Sequence, residues 1–192
     1  MKKKTIVIAS HNSGKIKEMI FYLKKNNFNI LTAKDFKLKE PEENGQTFIE
    51  NASIKARYVN KKTKKISIAD DSGLVIPILQ GRPGIYSARF AGKNKNFNFA
   101  MKKVHNLLFK KKINAYYISV LAISWNRKKE KTFTGKIFGR LIWPPRGKLG
   151  FGYDPIFMPN GYSKTFGEIE RDIKNKISHR AIAFKKFMKF LS

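Results

Sequence analysis

A short polar loop, SHNSGK at residues 10–15, lies between an apolar run and a segment with helical spacing. It differs from the Walker phosphate loop, G-x-x-x-x-G-K-[ST], because Ala9 replaces the first glycine and Ile16 replaces the final hydroxyl residue. A loop that leaves a strand and opens a helix points backbone N–H groups and the positive helix end at one place. Such a loop suits a triphosphate, but an ordinary strand-to-helix turn with an N-cap would use the same residues.

Two adjacent aspartates, Asp70 and Asp71, follow the apolar residues 66–69 and precede Ser72 and Gly73. Burial disfavours two neighbouring carboxylates unless a cation lies near them. Because side chains alternate along a strand, we expect the two to point to opposite sides, one serving the structure and one facing a cleft. Ser72 and Gly73 suit a tight turn, and the alternative interpretation of the whole segment is an Asp-rich turn.

An acidic cluster, EPEENG at residues 40–45, holds three of the 13 acidic residues of a chain whose formal net charge is +28. Magnesium sites use one or two carboxylates and complete the shell with phosphate oxygens, so this cluster is a candidate ligand source. The same glutamates could instead favour the positive end of the helix that follows.

Two further patches combine aromatic and cationic side chains. GFGYDPIF at residues 150–157 would offer a stacking face for a base and a carboxylate acceptor. SHR at residues 178–180 lies at a helix start and offers donors that suit carbonyl oxygens or phosphate and disfavour an amino group. Turns and helix caps use similar residues. From their own surroundings, we interpret His11 and His105 as structural or surface residues, and His105 has no evident partner.

The elements that position these residues follow from the spacing of apolar side chains. Strands are predicted at residues 5–9, 66–69, 74–79, 115–125 and 131–143, the last two paired, with Gly135 and Gly139 as bulge or bend candidates. Helices are predicted at residues 16–23, behind a capping box of Thr47 and Glu50, at residues 97–109, and after Ser178 with Ala181, Phe184, Phe187, Met188 and Leu191 inward. This order predicts an α/β protein with a mixed sheet.

The composition bounds the class of protein. With 192 residues, 42% of them hydrophobic, the chain suits a single domain over residues 1–192, built as two lobes without a clear linker. The absence of cysteine excludes disulfides, zinc fingers and thiol nucleophiles. No apolar run approaches the ~20 residues of a membrane span. The apolar stretch after the N-terminal lysines is too short for that of a signal peptide. We expect a cytoplasmic protein with no membrane partner.

The strong positive charge predicts attraction to polyanions. However, lysines are spread along the whole chain, and Lys, Asn, Ile and Phe are all encoded by A+T-rich codons. We therefore expect mutational bias on a solvated surface and no specific nucleic-acid partner. A basic nucleic-acid-binding protein is the alternative function, although the chain has no C₂H₂ pattern and no obvious RRM signature.

Together and in order, these segments resemble the inosine/xanthosine triphosphate pyrophosphatase family. The matching segments are IVIASHNSGKIKE, EENGQTFIENASIKAR, IADDSGL, GRPGIYSARFAG, GFGYDPIF and KNKISHR. The resemblance implies an α/β fold with a long mixed sheet and flanking helices that form two lobes around a central cleft, in a homodimer. It also implies Mg²⁺-assisted hydrolysis of ITP, dITP and XTP to the monophosphate and pyrophosphate, by water attack at the α-phosphorus, which cleanses the nucleotide pool. A related enzyme for modified pyrimidines is a further possibility, but SHR with FGYD favours purines.

The resemblance also implies the role of each residue. Asp71 matches the catalytic aspartate, which binds metal and acts as general base toward water, and Glu43 matches the metal-binding glutamate, with Glu42 as the fallback. The positions that match contacts to the triphosphate and its surroundings are Ser10, His11, Asn12, Ser13, Gly14, Lys15, Lys55 and Ser72. Those that match base recognition are Phe151, Gly152, Tyr153, Asp154, Lys174, His179 and Arg180.

Overall fold

The structure is a computed structural model that describes residues 3–24, 26–92, 94–108, 113–126 and 129–191. Its strands are β1 (Lys4–Ile8), β2 (Phe28–Thr32), β3 (Ile66–Val75), β4 (Ile113–Asn126), β5 (Lys129–Leu141) and β6 (Phe157–Pro159). They form one sheet in the order β2-β1-β3-β4-β5-β6. Strand β1 is parallel to both β2 and β3, whereas β5 is antiparallel to β6, so the sheet is mixed.

Helices occupy most of the connections between these strands. The α-helices are α1 (Ser13–Leu23), α2 (Phe48–Thr63), α3 (Ser87–Phe90), α4 (Phe97–Asn106), α5 (Arg171–Ile177) and α6 (His179–Leu191). Short 3-10 helices occur at Ala33–Phe36, Pro77–Leu79, Gly84–Tyr86 and Asp154–Ile156. The predicted α/β class with a mixed sheet and flanking helices is confirmed. In the described part of the chain, no helix combines the length and the apolar composition needed to cross a bilayer.

The chain divides into two compact units, each with its own apolar core. The first unit comprises Met1–Asp71, Val120–Thr134 and Ala183–Ser192, and the second comprises Ser72–Ser119 and Gly135–Ile182. Fully buried core residues of the first unit include Ile6, Ile8, Met19, Leu23, Ile68, Phe184 and Phe187. Those of the second unit include Leu74, Ile76, Phe157 and Phe166.

Local capping signals begin three of the helices. The side chain of Asn12 accepts a hydrogen bond from the backbone N–H of Lys15 and caps α1. The capping box of Thr47 and Glu50 is confirmed, since each side chain accepts from the other's backbone N–H at the start of α2. Ser178 Oγ accepts from the N–H of Ala181 and caps α6 as predicted. Each cap satisfies backbone donors that have no partner inside the helix.

The prediction for residues 66–79 is wrong in part. Strand β3 continues without a turn through Ser72 and Gly73 to Val75, and residues 77–79 form a 3-10 helix instead of a second strand. The strand can continue because each aspartate pairs with a lysine inside the protein, as described below. It ends where Pro77, which has no N–H to donate, begins the 3-10 helix.

The later elements follow the prediction with small differences. The two long strands predicted at residues 115–125 and 131–143 are β4 and β5, which are neighbours in the sheet. Gly139 has no space for a side chain, because a Cβ atom there would lie 2.3 Å from the carbonyl oxygen of Met158 on β6. The helix predicted to reach residue 109 ends at Asn106, and residue 109 itself lies outside the described residues. Leu191 is not inward as predicted: it is 40% exposed at the last position of α6.

Candidate active site

The loop at residues 10–15 in the first unit joins β1 to the first turn of α1, as predicted. Ser10 is buried, and its Oγ accepts the backbone N–H of Asn12 at 3.2 Å. Ser13 and Gly14 are already helical, so the backbone N–H groups of the loop belong to the positive end of α1. His11 Nε2 lies 2.8 Å from the carbonyl oxygen of Leu38, which matches the interpretation of His11 as a structural residue.

Lys15 forms an ion pair that the sequence prediction missed. Its Nζ lies 2.9 Å from Oδ2 of Asp70, whose side chain is fully buried. Asp71, the next residue on β3, pairs with a different lysine, as expected for side chains that alternate along a strand. Asp70 therefore neutralises a lysine of the predicted phosphate loop. No local signal in the sequence announces this pair, because the two residues are far apart in the chain.

Lys55 on α2 is the centre of a buried charged group with Glu43 and Asp71. Its Nζ lies 2.5 Å from Glu43 Oε1 and 3.1 Å from Asp71 Oδ1, and Lys55 is only 4% exposed. Burial raises the pKa of Asp71 above its ordinary value, against the opposing charges of Lys55 and Lys15. Glu42, the predicted fallback ligand, is exposed. The geometry therefore favours Glu43 over Glu42 as a partner of Asp71.

One carboxylate oxygen of this group suits a metal ion. Asp71 Oδ2 is buried and has no hydrogen-bond partner among the residues that the structure describes. Within those same ranges, no cluster of three or more His, Cys, Asp or Glu residues is arranged to hold a metal. Magnesium needs only one or two carboxylates when phosphate oxygens complete its shell. Glu43 and Asp71 therefore fit such a site in chemical type and number.

A second charged group lies in the second unit, around Asp154. Its Oδ2 accepts the backbone N–H of Phe151 at 2.7 Å and lies 2.6 Å from Nζ of Lys174, and both charged side chains are buried. The same Nζ lies 4.7 Å from the centroid of the Phe151 ring. Gly150 permits the approach of the carboxylate, because a Cβ atom there would lie 2.1 Å from Asp154 Oδ2. Two residues of the segment at residues 150–157, Phe151 and Asp154, thus lie against Lys174 of α5.

Arg180 and His179 extend the charged surroundings of the second unit. Arg180 is 1% exposed, and its Nη2 donates to Ser72 Oγ at 2.9 Å. Its guanidinium carbon lies 6.0 Å from the centroid of the Phe151 ring. His179 is buried with its ring stacked on that of Tyr117. The structure therefore brings together Ser72, Phe151, Asp154, Lys174, His179 and Arg180 in this unit.

Tyr153 does not offer the stacking face that its segment predicts. Its ring is buried and makes a T-shaped contact with that of Phe97, and its hydroxyl donates to the carbonyl oxygen of Ser87 at 2.9 Å. Gly152 has a positive φ of 70° next to it, a conformation that glycine adopts without strain. Phe151, which is half-buried, is the aromatic residue of this segment with exposed surface beside the charged group. Neither residue lies in a strand or a helix, so no side-chain period in the sequence distinguishes Phe151 from Tyr153.

His105, which has no evident partner in the sequence, contacts an aromatic ring in the structure. The ring of His105 stacks on that of Trp143, with centroids 4.1 Å apart and an interplanar angle of 5°. Trp143 is 43% exposed, so the pair lies at the surface of the second unit. This agrees with the interpretation of His105 as a surface residue.

Comparison with known proteins places the whole chain in one family. The model of the Ham1 family matches residues 6–190. The dITP/XTP pyrophosphatase of Zymomonas mobilis is 44% identical over 187 residues, which cover 95% of this chain and 90% of that protein. The protein of the same name from Caulobacter vibrioides is 45% identical over 184 residues, covering 94% of both.

Solved structures agree with this comparison and confirm the predicted fold class. A HAM1 protein from Coxiella burnetii superposes with a TM-score of 0.89 at 36% identity, covering 98% of both chains. The nucleoside-triphosphatase or dITP/XTP pyrophosphatase from Mycobacterium abscessus superposes with a TM-score of 0.73 at 30% identity, covering 96% of this chain and 98% of that one. Because the family model and these relatives each span nearly the full length, the chain belongs to the Ham1 family, as its motifs predicted.

Proposed function

We propose that this protein is a nucleoside-triphosphate pyrophosphatase that hydrolyses ITP, dITP and XTP to the monophosphate and pyrophosphate. The names of the relatives that are more than 40% identical support the activity. The observation that carries it to this chain is the buried group of Glu43, Lys55 and Asp71. There, two carboxylates share one ammonium, and Asp71 keeps an oxygen without a hydrogen-bond partner in the described ranges.

In this proposal, Glu43 and Asp71 would hold Mg²⁺. When bound, the ion supplies positive charge that neutralises the phosphate oxygens. Asp71 would also act as general base toward the water that attacks the α-phosphorus. Burial raises the pKa of Asp71, and a more basic carboxylate accepts a proton from water more readily.

Two lysines of the first unit would stabilise the charge on the triphosphate. Lys15 and Lys55 would neutralise the phosphate oxygens, including those of the departing pyrophosphate. The backbone N–H groups at the start of α1 would add donors, as helix N-termini do for phosphates generally. Ser10, Asn12 and Ser13 would supply the side-chain donors that the motif predicts.

The charged group of the second unit would recognise the base. Arg180, Lys174 and His179 can donate hydrogen bonds, and donors suit the 6-oxo group of hypoxanthine and xanthine. A buried donor that faced the 6-amino group of adenine would stay unpaired, and such penalties give large selectivity. Phe151 would provide the ring on which the base stacks.

Mg²⁺ as the ion, a homodimer and a cytoplasmic location remain predictions from the sequence.

The test is the release of pyrophosphate from ITP, dITP, XTP, ATP, GTP and dTTP in the presence of Mg²⁺. We expect kcat/KM for ITP to exceed that for ATP by ~100-fold or more, the scale of discrimination that unpaired buried donors give. Asp71→Asn should lower kcat for ITP by ~100-fold or more, the usual cost of losing a general base. Asp35→Asn, an exposed carboxylate in the same unit, is the matched control.

Two results would contradict the proposal separately. Equal kcat/KM values for ITP and ATP would contradict the base selectivity. An Asp71→Asn variant with the kcat of the control would contradict the role of Asp71 as base and metal ligand.

A further inference from the structure

Tyr117 on β4 is a buried tyrosine of the second unit that contacts two of the predicted base-recognition residues. It is 6% exposed and belongs to the apolar core, where its ring centroid lies 4.7 Å from that of Phe157 and 6.1 Å from that of Phe166. Core packing on these rings leaves Tyr117 with little rotational freedom. Neither the proposed chemistry nor the family resemblance gives this residue a role.

The ring of Tyr117 fixes the plane of His179. The two rings are stacked with centroids 4.7 Å apart and an interplanar angle of 12°. His179 is the first residue of α6, where the side chain of Ser178 caps the helix. The start of α6 therefore holds the backbone of His179, and the ring of Tyr117 holds the plane of the His179 imidazole.

The hydroxyl of Tyr117 reaches the other half of the same group. It hydrogen-bonds to the carboxylate of Asp154 and to the backbone of Tyr153, and burial together with the negative charge of Asp154 raises the pKa of this hydroxyl well above its ordinary value. An ionised carboxylate accepts only, so the O–H must donate to Asp154. Asp154 also accepts from Lys174 and from the N–H of Phe151.

We propose that Tyr117 is a positioning residue that sets the base selectivity of this protein, by holding the His179 ring with its face and the Asp154 carboxylate with its hydroxyl. The inference rests on the proposed function of the second unit. Tyr117 itself would not touch the substrate. It would keep one donor-bearing ring and one acceptor, with its partner Lys174, in a single relative orientation.

A fixed orientation is what turns these groups into a selective site. Rejection of a 6-amino purine requires a donor that cannot turn away from the amino group. If the ring of His179 or the ion pair of Asp154 and Lys174 could rotate, each would relax to satisfy either purine, and the penalty for ATP would shrink. Loosening should therefore reduce selectivity more than it reduces the rate of the chemical step.

The test uses two substitutions that remove the contacts one at a time. Tyr117→Phe keeps the stacked ring and deletes the hydroxyl, and we expect the ratio of kcat/KM for ITP to that for ATP to fall ~10-fold, the scale of one buried hydrogen bond. Tyr117→Leu removes both contacts and should lower the ratio further. The change should appear mainly as a higher kcat/KM for ATP, with kcat for ITP changed less. Tyr116→Phe deletes a hydroxyl at the adjacent position of β4 and should leave the ratio unchanged.

The selectivity ratio remains valid for a destabilised variant, because both substrates are measured on one preparation and the amount of active enzyme cancels.

A second measurement is independent of catalysis. The chain has three histidines, so the NMR signals of the His179 ring protons can be assigned, and stacking should shift them upfield in the wild type and in Tyr117→Phe but not in Tyr117→Leu. A ratio unchanged in folded Tyr117→Phe and Tyr117→Leu would overturn the proposal for Tyr117 alone. Equal kcat/KM values for ITP and ATP in the wild type would overturn the proposed function and this inference with it.

Discussion

Lys55 is a buried lysine that stays charged because two carboxylates lie beside it. Burial alone would lower its pKa, but the charges of Asp71 and Glu43 and the hydrogen bond to Glu43 raise it above its ordinary value. A lysine with a raised folded-state pKa stabilises the fold fully below the unfolded value of about 10.4, and that contribution is lost as pH rises through the folded-state pKa. The charged form of Lys55 therefore contributes to stability throughout the neutral range.

Replacing Lys55 by methionine should expose the cost of leaving two carboxylates without their cation. We expect Lys55→Met to lower the free energy of unfolding by about 3 kcal/mol at pH 7 without metal, as when one partner of a buried ion pair is removed. Urea unfolding measures the change. Lys62→Met, an exposed position on the same helix, is the control and should change stability by less than about 0.5 kcal/mol.

Magnesium distinguishes a metal-binding pair from a purely structural one. If Glu43 and Asp71 hold Mg²⁺, the ion should stabilise Lys55→Met more than the wild type, because it replaces the missing ammonium. The measurement is the rise in Tm on adding MgCl₂ without nucleotide. An equal rise in both proteins would argue against a metal site at these carboxylates.

At the scale of elements, the capping box of α2 positions the residue at the centre of the charged group. Thr47 and Glu50 satisfy backbone donors at the helix start, and Lys55 follows on the next turns of the same helix. The acidic cluster that precedes α2 brings Glu43 back against Lys55. A helix start encoded within four residues therefore helps to arrange a group whose members are spread more widely.

Loss of this cap should cost stability without changing the chemistry. We expect Thr47→Ala to lower the free energy of unfolding by about 1 kcal/mol, the usual cost of losing a hydroxyl N-cap. Gln46→Ala, an exposed neighbour, should cost less than about 0.5 kcal/mol. Urea unfolding of the two variants checks the difference. Equal stabilities would show that the cap contributes nothing to the fold.

Strand β3 shows where element prediction failed and why. The sequence DDSG is typical of a turn, yet the backbone continues as a strand to Val75. Asp and Ser favour turns because their side chains hydrogen-bond the nearby backbone, and Gly does so because it accepts a positive φ. Here the two carboxylates instead pair with lysines from two helices, which offsets the cost of burying them in the sheet. Tertiary ion pairs thus override the local preference.

For the whole molecule, a net charge of +28 predicts attraction to nucleic acid that depends on salt. We expect binding to random RNA to weaken by ~100-fold or more between low salt and ~0.2 M salt. The reason is that the entropy gained by releasing counterions from the RNA becomes smaller as the salt concentration rises. Hydrolysis of ITP should persist at ~0.2 M salt, because the charged side chains of the proposed active site are largely buried and salt screens buried charges less. Filter binding and pyrophosphate release under the same buffers test this. RNA binding that survives ~0.2 M salt would favour a nucleic-acid role.

The sequence by itself determined the family, the α/β class, the caps of α2 and α6 and the residue types of both charged groups. These features are local: a cap is completed within four residues, and a motif is a run of neighbours. They could therefore be predicted without knowing how the chain packs.

Only the tertiary structure decided which charge meets which. It paired Lys15 with Asp70, placed Lys55 between Glu43 and Asp71, buried the ring of Tyr153 and stacked His179 on Tyr117. The physical reason is that ion pairs and ring contacts act over a few ångströms in space, whatever the separation along the chain. Packing of the two apolar cores sets those distances, and no spacing in the sequence encodes them.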